Sequence, residues 1–235
     1  MSSQDDPAAA CPVDHKTRDA WLAQAHARAN SSPPTTPAPS PPSASSPLQL
    51  GTARQVSTIP RASASSPSSH QPANSERDTG ADPSTGHWIY PSEQMFFDAM
   101  RRKSYDARAS DMRTIVPIHN AVNERAWLEI QAWEKGRGSE ACGGPRLASF
   151  TGRSTRLTPR ARWRTWLGYQ PPFDRHDWVV DRCGERVDYV IDFYAGRGGG
   201  AGAQQGDALN FFLDVRPKLN SWEGCKMRVA KYWGF

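Results

Sequence analysis

The chain has 235 residues, 37% hydrophobic and 23% charged, with a net charge of +5, which is material for one or two domains with ordinary cores and favours an anionic partner such as phospholipid headgroups, a carboxylate-bearing cofactor or nucleic acid. No run approaches the roughly 18 apolar residues of a membrane-spanning helix, and the acidic start, Met1 to Asp6, has neither the apolar region of a secretory signal nor the arginines of a mitochondrial presequence, so any organelle targeting is expected to be internal. The four cysteines, Cys11, Cys142, Cys183 and Cys225, have no zinc-site spacing and no CxxCH, which excludes a c-type cytochrome.

Composition divides the chain. After Cys11-Pro12-Val13, the stretch Asp14 to Ala29 offers an N-cap and sets Trp21, Leu22 and Ala25 at helical spacing, predicting a short amphipathic helix. Between Ser31 and Leu50, 13 of 20 residues are Ser or Pro, and the bias continues to about Pro83. Such a stretch buries too little apolar surface to offset its ordering entropy. Residues 30–86 are therefore expected to be a disordered tether, with a small ordered island at Ile59-Pro60-Arg61, joining an N-terminal segment, 1–29, to one folded domain, 87–235. A disulfide framework is not expected, because one of the four cysteines precedes the tether.

Within the domain, His87 to Pro91 reads as extended, and Ser92 caps a helix to about Lys103 with Met95, Phe96, Ala99 and Met100 on one face. Thr114 to Ile118 is β-branched, and Pro117 predicts extended backbone before it. His119 then opens a helix to about Glu134, with a buried stripe of Val122, Ala126, Trp127, Ile130 and Trp133 and a neighbouring face carrying His119 and Asn123. From Asp177 to Tyr194 the period becomes two, a hairpin turning at Cys183-Gly184. A loop at Gly196 to Gly206 has no Walker or Rossmann spacing. Phe211 to Val215 is a further strand, and Ser221 begins a last helix with Trp222, Met227 and Trp233. The order implies an α+β domain, an antiparallel sheet flanked by helices.

Three groups of residues bear on chemistry. His119, where a strand is expected to meet a helix N-terminus, would be held neutral by the helix dipole, the form that binds iron. The position fits a structural histidine equally. His176, inside Pro172-Phe173-Asp174-Arg175-His176-Asp177-Trp178, has carboxylate neighbours suited to proton transfer, to orientation or to a second ligand, and also reads as a salt-bridged start of a strand. Arg153, Arg156, Arg160, Arg162 and Arg164 have no acidic residue among them. They could clamp haem propionates or lipid headgroups, contact nucleic acid with Trp163 and Trp166, or form a solvated basic face. Cys11-Pro12 matches the two-residue haem-regulatory motif, in which a thiolate ligates iron.

Taken together, Trp88-Ile89-Tyr90-Pro91-Ser92-Glu93-Gln94, Ile118-His119-Asn120-Ala121-Val122-Asn123-Glu124, Pro159-Arg160-Ala161-Arg162, Pro172 to Trp178, Asp181-Arg182-Cys183-Gly184, Tyr189-Val190-Ile191-Asp192 and Leu213-Asp214-Val215-Arg216-Pro217 resemble, in order, the cytochrome c-type haem lyase family. The N-terminal Cys11 to Leu22, Ser57 to Arg61, Glu140 to Gly144 and Lys218 to Ser221 are most similar to its fungal cytochrome c1 branch. The resemblance implies a lyase that attaches haem b through thioether bonds to the CxxCH cysteines of apocytochrome c1, apocytochrome c or both. It also implies a site peripheral to the mitochondrial inner membrane, on the intermembrane-space side, and no nucleic-acid partner. His119 becomes the axial ligand of haem iron and His176 a second catalytic candidate. Trp88, Tyr90, Asn123, Glu124, Arg160, Arg162 and Trp178 become haem-contacting candidates, and Cys11 a dispensable regulatory ligand. A non-catalytic haem carrier or sensor is the alternative.

Overall fold

The computed structural model describes residues 15–31, 49–62, 80–153, 156–195 and 211–234. Cys11-Pro12 and the Gly196 to Gly206 loop lie outside them. The elements are α1 (His15–Ser31), β1 (Val56–Pro60), β2 (His87–Ile89), α2 (Glu93–Arg102), α3 (Met112–Glu134), β3 (Arg146–Gly152), α4 (Pro159–Trp166), β4 (Asp174–Arg182), β5 (Glu185–Ala195), β6 (Phe211–Pro217) and α5 (Trp222–Tyr232). This is the expected α+β arrangement, with an antiparallel sheet in the order β3-β4-β5-β6 and a small antiparallel pair, β1-β2. Ser92 and Ser221 cap α2 and α5 as their sequences predict, each side chain accepting a backbone N–H at the first turn. Cys183 and Gly184 both take positive φ, at 51° and 91°, the two-residue turn whose twist matches a tight hairpin.

α3 departs from the sequence reading. It begins at Met112 and runs through Pro117 to Glu134 as one helix, although Pro117 removes a backbone hydrogen bond and crowds the carbonyl of Arg113, at a cost of about 3 kcal/mol. Packing wins: Met112, Ile115 and Val116 are buried with Trp21, Leu50, Phe96 and Met100, side chains worth roughly 1.5–3 kcal/mol each on burial. The second half of α3 sends Val122, Ala126, Trp127, Ile130 and Trp133 into the main core, against Trp178, Val180, Val187, Tyr189, Ile191 and Phe193. Because strand side chains alternate in direction, Asp192, Asp214 and Arg216 point from the sheet face opposite α3. There Arg216 donates to Asp192 at 2.5 Å and α4 is seated through Thr158, which donates to Asp192 at 2.8 Å.

Two features draw the stretch before residue 87 into the fold. Ile59 of β1 belongs to the main core, and α1 packs on the start of α3, with buried Arg18 donating to Asp111 at 2.7 Å. The expectation of no disulfide is corrected: Cys142 and Cys183 are bonded. Cys11, on which that expectation turned, is not involved, and the two partners meet because the hairpin turn folds onto the 3-10 turn Ser139–Cys142. The bridge closes a separation of 41 residues, and such cross-links typically stabilise by roughly 2–4 kcal/mol. Thermal denaturation with and without a thiol reductant checks this. The midpoint is expected to fall on reduction, and Cys183→Ser is expected to show the lower value under both conditions.

Candidate functional site

His119 lies within α3, the eighth residue of the helix, so the helix-dipole argument for its neutrality does not hold; the field of exposed N–H groups fades beyond the first turn. What surrounds it is more specific. The ring is buried, with Phe96 at 5.2 Å, Trp21 at 5.9 Å and Tyr90 at 6.2 Å between centroids, each meeting it edge to face. The cage is assembled from α1, α2 and the residue after β2, so three separate segments converge on one imidazole.

Two carboxamides of the same helix lie against the His119 ring nitrogens. Asn120 donates to Gln55 Oε1 at 2.9 Å through Nδ2, which turns its Oδ1 toward His119 Nδ1 at 3.3 Å. An acceptor there favours a proton on Nδ1. Asn123, one turn along the same face, brings Nδ2 to 3.2 Å from Nε2 and 3.3 Å from Nδ1, so its amide lies beside both ring nitrogens. A neutral ring with its proton on Nδ1 leaves the lone pair at Nε2, beside the Asn123 amide. That is the nitrogen a metal would take.

Glu124, the residue after Asn123, ties this region to β1. Its carboxylate accepts from Ser57 Oγ at 2.6 Å, Thr58 N at 3.2 Å, Tyr90 OH at 2.9 Å and, more closely still, Thr58 Oγ1. Burial pushes the Glu124 carboxyl up, but the hydrogen bonds from Ser57, Thr58 and Tyr90 outweigh it and hold the group below its usual value of 4.5. Burial, with help from the Glu124 charge and against the Ser57 bond, raises the Tyr90 phenol well above its ordinary range, so it stays a donor. A depressed carboxylate stabilises the fold fully above its unfolded value and loses that contribution as pH falls through the lower folded value. We expect the wild-type chain to lose stability below about pH 4.5 in a step that Glu124→Gln lacks, while Glu124→Gln is weaker at neutral pH by about 1 kcal/mol. Urea titrations at a series of pH values read both, and parallel pH profiles would contradict the assignment.

His176 sits on β4 opposite Ile191, on the sheet face toward α3. Its Nε2 is 3.1 Å from Asp174 Oδ2, a carboxylate that orients the ring, and Phe193 packs against it at 4.9 Å. From there Phe193, Phe173 and Phe211 follow in contact, and Phe211 packs on both core clusters. Next along β4, Asp177 collects Lys218 at 3.0 Å, Arg175 at 3.0 Å and Arg153 at 3.1 Å.

The other candidates divide. Tyr90, Asn123 and Glu124 gather with His119. Trp88 and Trp178 are instead in the main core, Trp88 donating to Leu147 O at 3.2 Å with Arg61 over its ring. Arg160 pairs with Asp214 at 3.5 Å, on the sheet face away from α3, and Arg162 is exposed on the same short helix. The structure does not bring these two arginines to His119. Trp21, Phe96 and Asn120 join the site without having been singled out. Their signal is present, since Phe96 stands on the apolar face of a capped helix and Trp21 in an amphipathic one, but no local pattern indicates which ring a packed aromatic faces. Among the described residues, no group of three or more His, Cys, Asp or Glu side chains is arranged to hold a metal ion.

A family model described as "Cytochrome c/c1 heme lyase" matches residues 1–232. A Chaetomium thermophilum protein named "Putative holocytochrome-c1 synthase" is 49% identical over 96% of this chain and 94% of its own length. A Schizosaccharomyces pombe protein of the same name is 47% identical, over 94% of this chain and 89% of its own. A human "Holocytochrome c-type synthase" is 41% identical over 86% of this chain and 66% of its own length. No solved structure matches.

Proposed function

Because the chain belongs to the cytochrome c/c1 heme lyase family, and is on that ground a haem lyase, we propose that it attaches haem b to the two CxxCH cysteines of apocytochrome c1, with His119 as its own ligand to the haem iron. The observation that carries the site assignment is the setting of the His119 ring, buried among Trp21, Tyr90 and Phe96 with the carboxamides of Asn120 and Asn123 against its nitrogens.

Asn123 swings aside when iron takes Nε2. Tyr90 and Phe96 hold the imidazole plane, and Glu124 fixes Tyr90. The CxxCH histidine of the apocytochrome takes the opposite axial position, which sets its two thiols beside the haem vinyl groups. Each thiol then adds across a vinyl double bond: sulfur bonds to one carbon, the thiol hydrogen ends on the other, and no net oxidation occurs. Holding the partners in place turns a rare encounter into a nearly unimolecular step, worth up to about 7–11 kcal/mol. His176, oriented by Asp174 and linked to the cage region by the row of phenylalanines, is proposed as a positioning or proton-handling residue. Release follows when the cytochrome supplies its own final ligands. The work is proposed to take place on the intermembrane-space side of the mitochondrial inner membrane, with the chain peripheral to that membrane; among the described residues no helix is long and apolar enough to cross one.

Co-expression with apocytochrome c1 or apocytochrome c, in bacteria lacking their own maturation system, tests this. Haem retained on denatured cytochrome c1, in preference to cytochrome c, is expected. Haem found only with this chain and lost on denaturation would overturn the proposal in favour of a carrier.

A further inference from the structure

The α4 region turns its large apolar residues outward. The residues that seat it are small: Ala161 is buried, and Thr158 caps the helix by accepting from Ala161 N at 3.1 Å while bonded to Asp192 and Arg216. Its large residues face out. Trp163 is 62% exposed, Trp166 80%, Leu167 51% and Tyr169 64%, and Phe212, on the same sheet face as the α4 anchor, is 58% exposed. A helix held for core packing would turn its tryptophans inward and its alanine outward. This one does the reverse, and contiguous exposed apolar surface of that kind marks a contact site.

The charge around it has one sign. Residues 151–173 contain five arginines and no Asp or Glu. Arg153 and Arg160 are paired with Asp177 and Asp214, whereas among the described residues Arg156, Arg162 and Arg164 have no acidic partner within ion-pair distance. Tryptophan and tyrosine favour the boundary between headgroups and acyl chains, and guanidinium groups form forked hydrogen bonds with phosphates. Single-stranded RNA would use the arginines and aromatic rings as well, but Leu157, Leu167 and Phe212 extend the surface with side chains suited to acyl chains rather than to base stacking.

We propose that α4 and its flanks, residues 156–169, together with Phe212, form the surface by which the chain docks on a bilayer rich in anionic phospholipid. This rests on the reading that the chain works peripherally at a membrane. Flotation of the full chain with vesicles of phosphatidylglycerol and phosphatidylcholine, against phosphatidylcholine alone, is the test. Binding is expected to need the anionic lipid and to be released by salt. Trp163→Ser with Trp166→Ser is expected to weaken it at least about tenfold, and Arg156→Gln with Arg164→Gln about 10- to 30-fold, both variants keeping the thermal midpoint and haem attachment to a soluble apocytochrome. If the parent chain floats and the tryptophan variant floats equally well, the α4 assignment is overturned while peripheral association stands. If the parent floats with neither vesicle, both fall. Retention of the parent on poly(U) RNA with no vesicle binding would replace the lipid by nucleic acid.

Discussion

His119→Gly is expected to reduce covalent haem attachment to below about one hundredth of the wild-type rate, and added imidazole is expected to restore a measurable part of it. The loss follows from the ligation proposed above: without Nε2 the iron would lose its ligand from this chain, and the alignment proposed to make thiol addition nearly unimolecular, worth up to about 7–11 kcal/mol, would be forfeited in large part. Glycine in a helix interior costs about 1 kcal/mol relative to alanine, and removing a ring from among Trp21, Tyr90 and Phe96 leaves a hole of imidazole shape. Free imidazole fits that hole and ligates iron there, so rescue separates a missing ligand from a damaged fold. Covalent haem on denatured cytochrome, followed with time and imidazole concentration, is the measurement. A variant that matches wild type without imidazole would remove His119 from the mechanism.

Arg182→Ala is expected to destabilise the fold by about 3–5 kcal/mol, the largest effect we expect from a residue remote from His119. Arg182 donates through Nε to Glu134 at 2.5 Å, through Nη2 to the other oxygen at 3.1 Å and through Nη1 to Glu223 at 2.7 Å. Tyr189 also donates to Glu134, its phenol held protonated by burial and by that carboxylate. Removing the guanidinium leaves Glu134, 1% exposed, charged and half-satisfied at the point where α3, β4, β5 and α5 meet. A chain of this size loses about 2–4 °C in midpoint per kcal/mol, so calorimetry should show a drop of roughly 6–20 °C. Arg182→Met with Glu134→Leu should recover much of it, because replacing both partners by apolar groups avoids the stranded charge. A single variant that melts within a degree or two of wild type would contradict this account.

The elements legible in the sequence were those whose signals are local. Ser92 and Ser221 announce helices because a hydroxyl accepts an N–H within its own turn, and β4-β5 declares itself by alternation up to Cys183-Gly184. β3 and α4 carry no such signal: Arg146–Gly152 gains its strand by pairing with β4 and, at Leu147, with Arg61, and α4 buries a single alanine, leaving no apolar period to detect. Pro117 misled because its steric preference is local, whereas the burial of Ile115 and Val116 that overrides it comes from α1 and α2. At the site, the His119-Asn123 spacing was visible as a helix face, and Tyr90 and Glu124 entered through the family resemblance. The separation of Arg160 from His119 by a sheet depends on which way alternate residues of β5 and β6 point, which no motif records. The Cys142–Cys183 pairing depends in the same way on where the hairpin folds.

The bridge between the hairpin turn and Ser139–Cys142 sets a redox condition on the reaction as proposed. The substrate cysteines must arrive as thiols, since only an S–H adds across a vinyl group, while two of this chain's own cysteines are joined and tie the hairpin turn to the 3-10 turn that follows α3. Cys183 is on the surface, so a thiolate reaching it would exchange with the bridge instead of reacting with haem. The reductant that serves the substrate therefore meets two kinds of sulfur in the same encounter, and on the reaction as proposed haem attachment is expected to be favoured at potentials where this chain's own pair stays joined and the cytochrome's stays open.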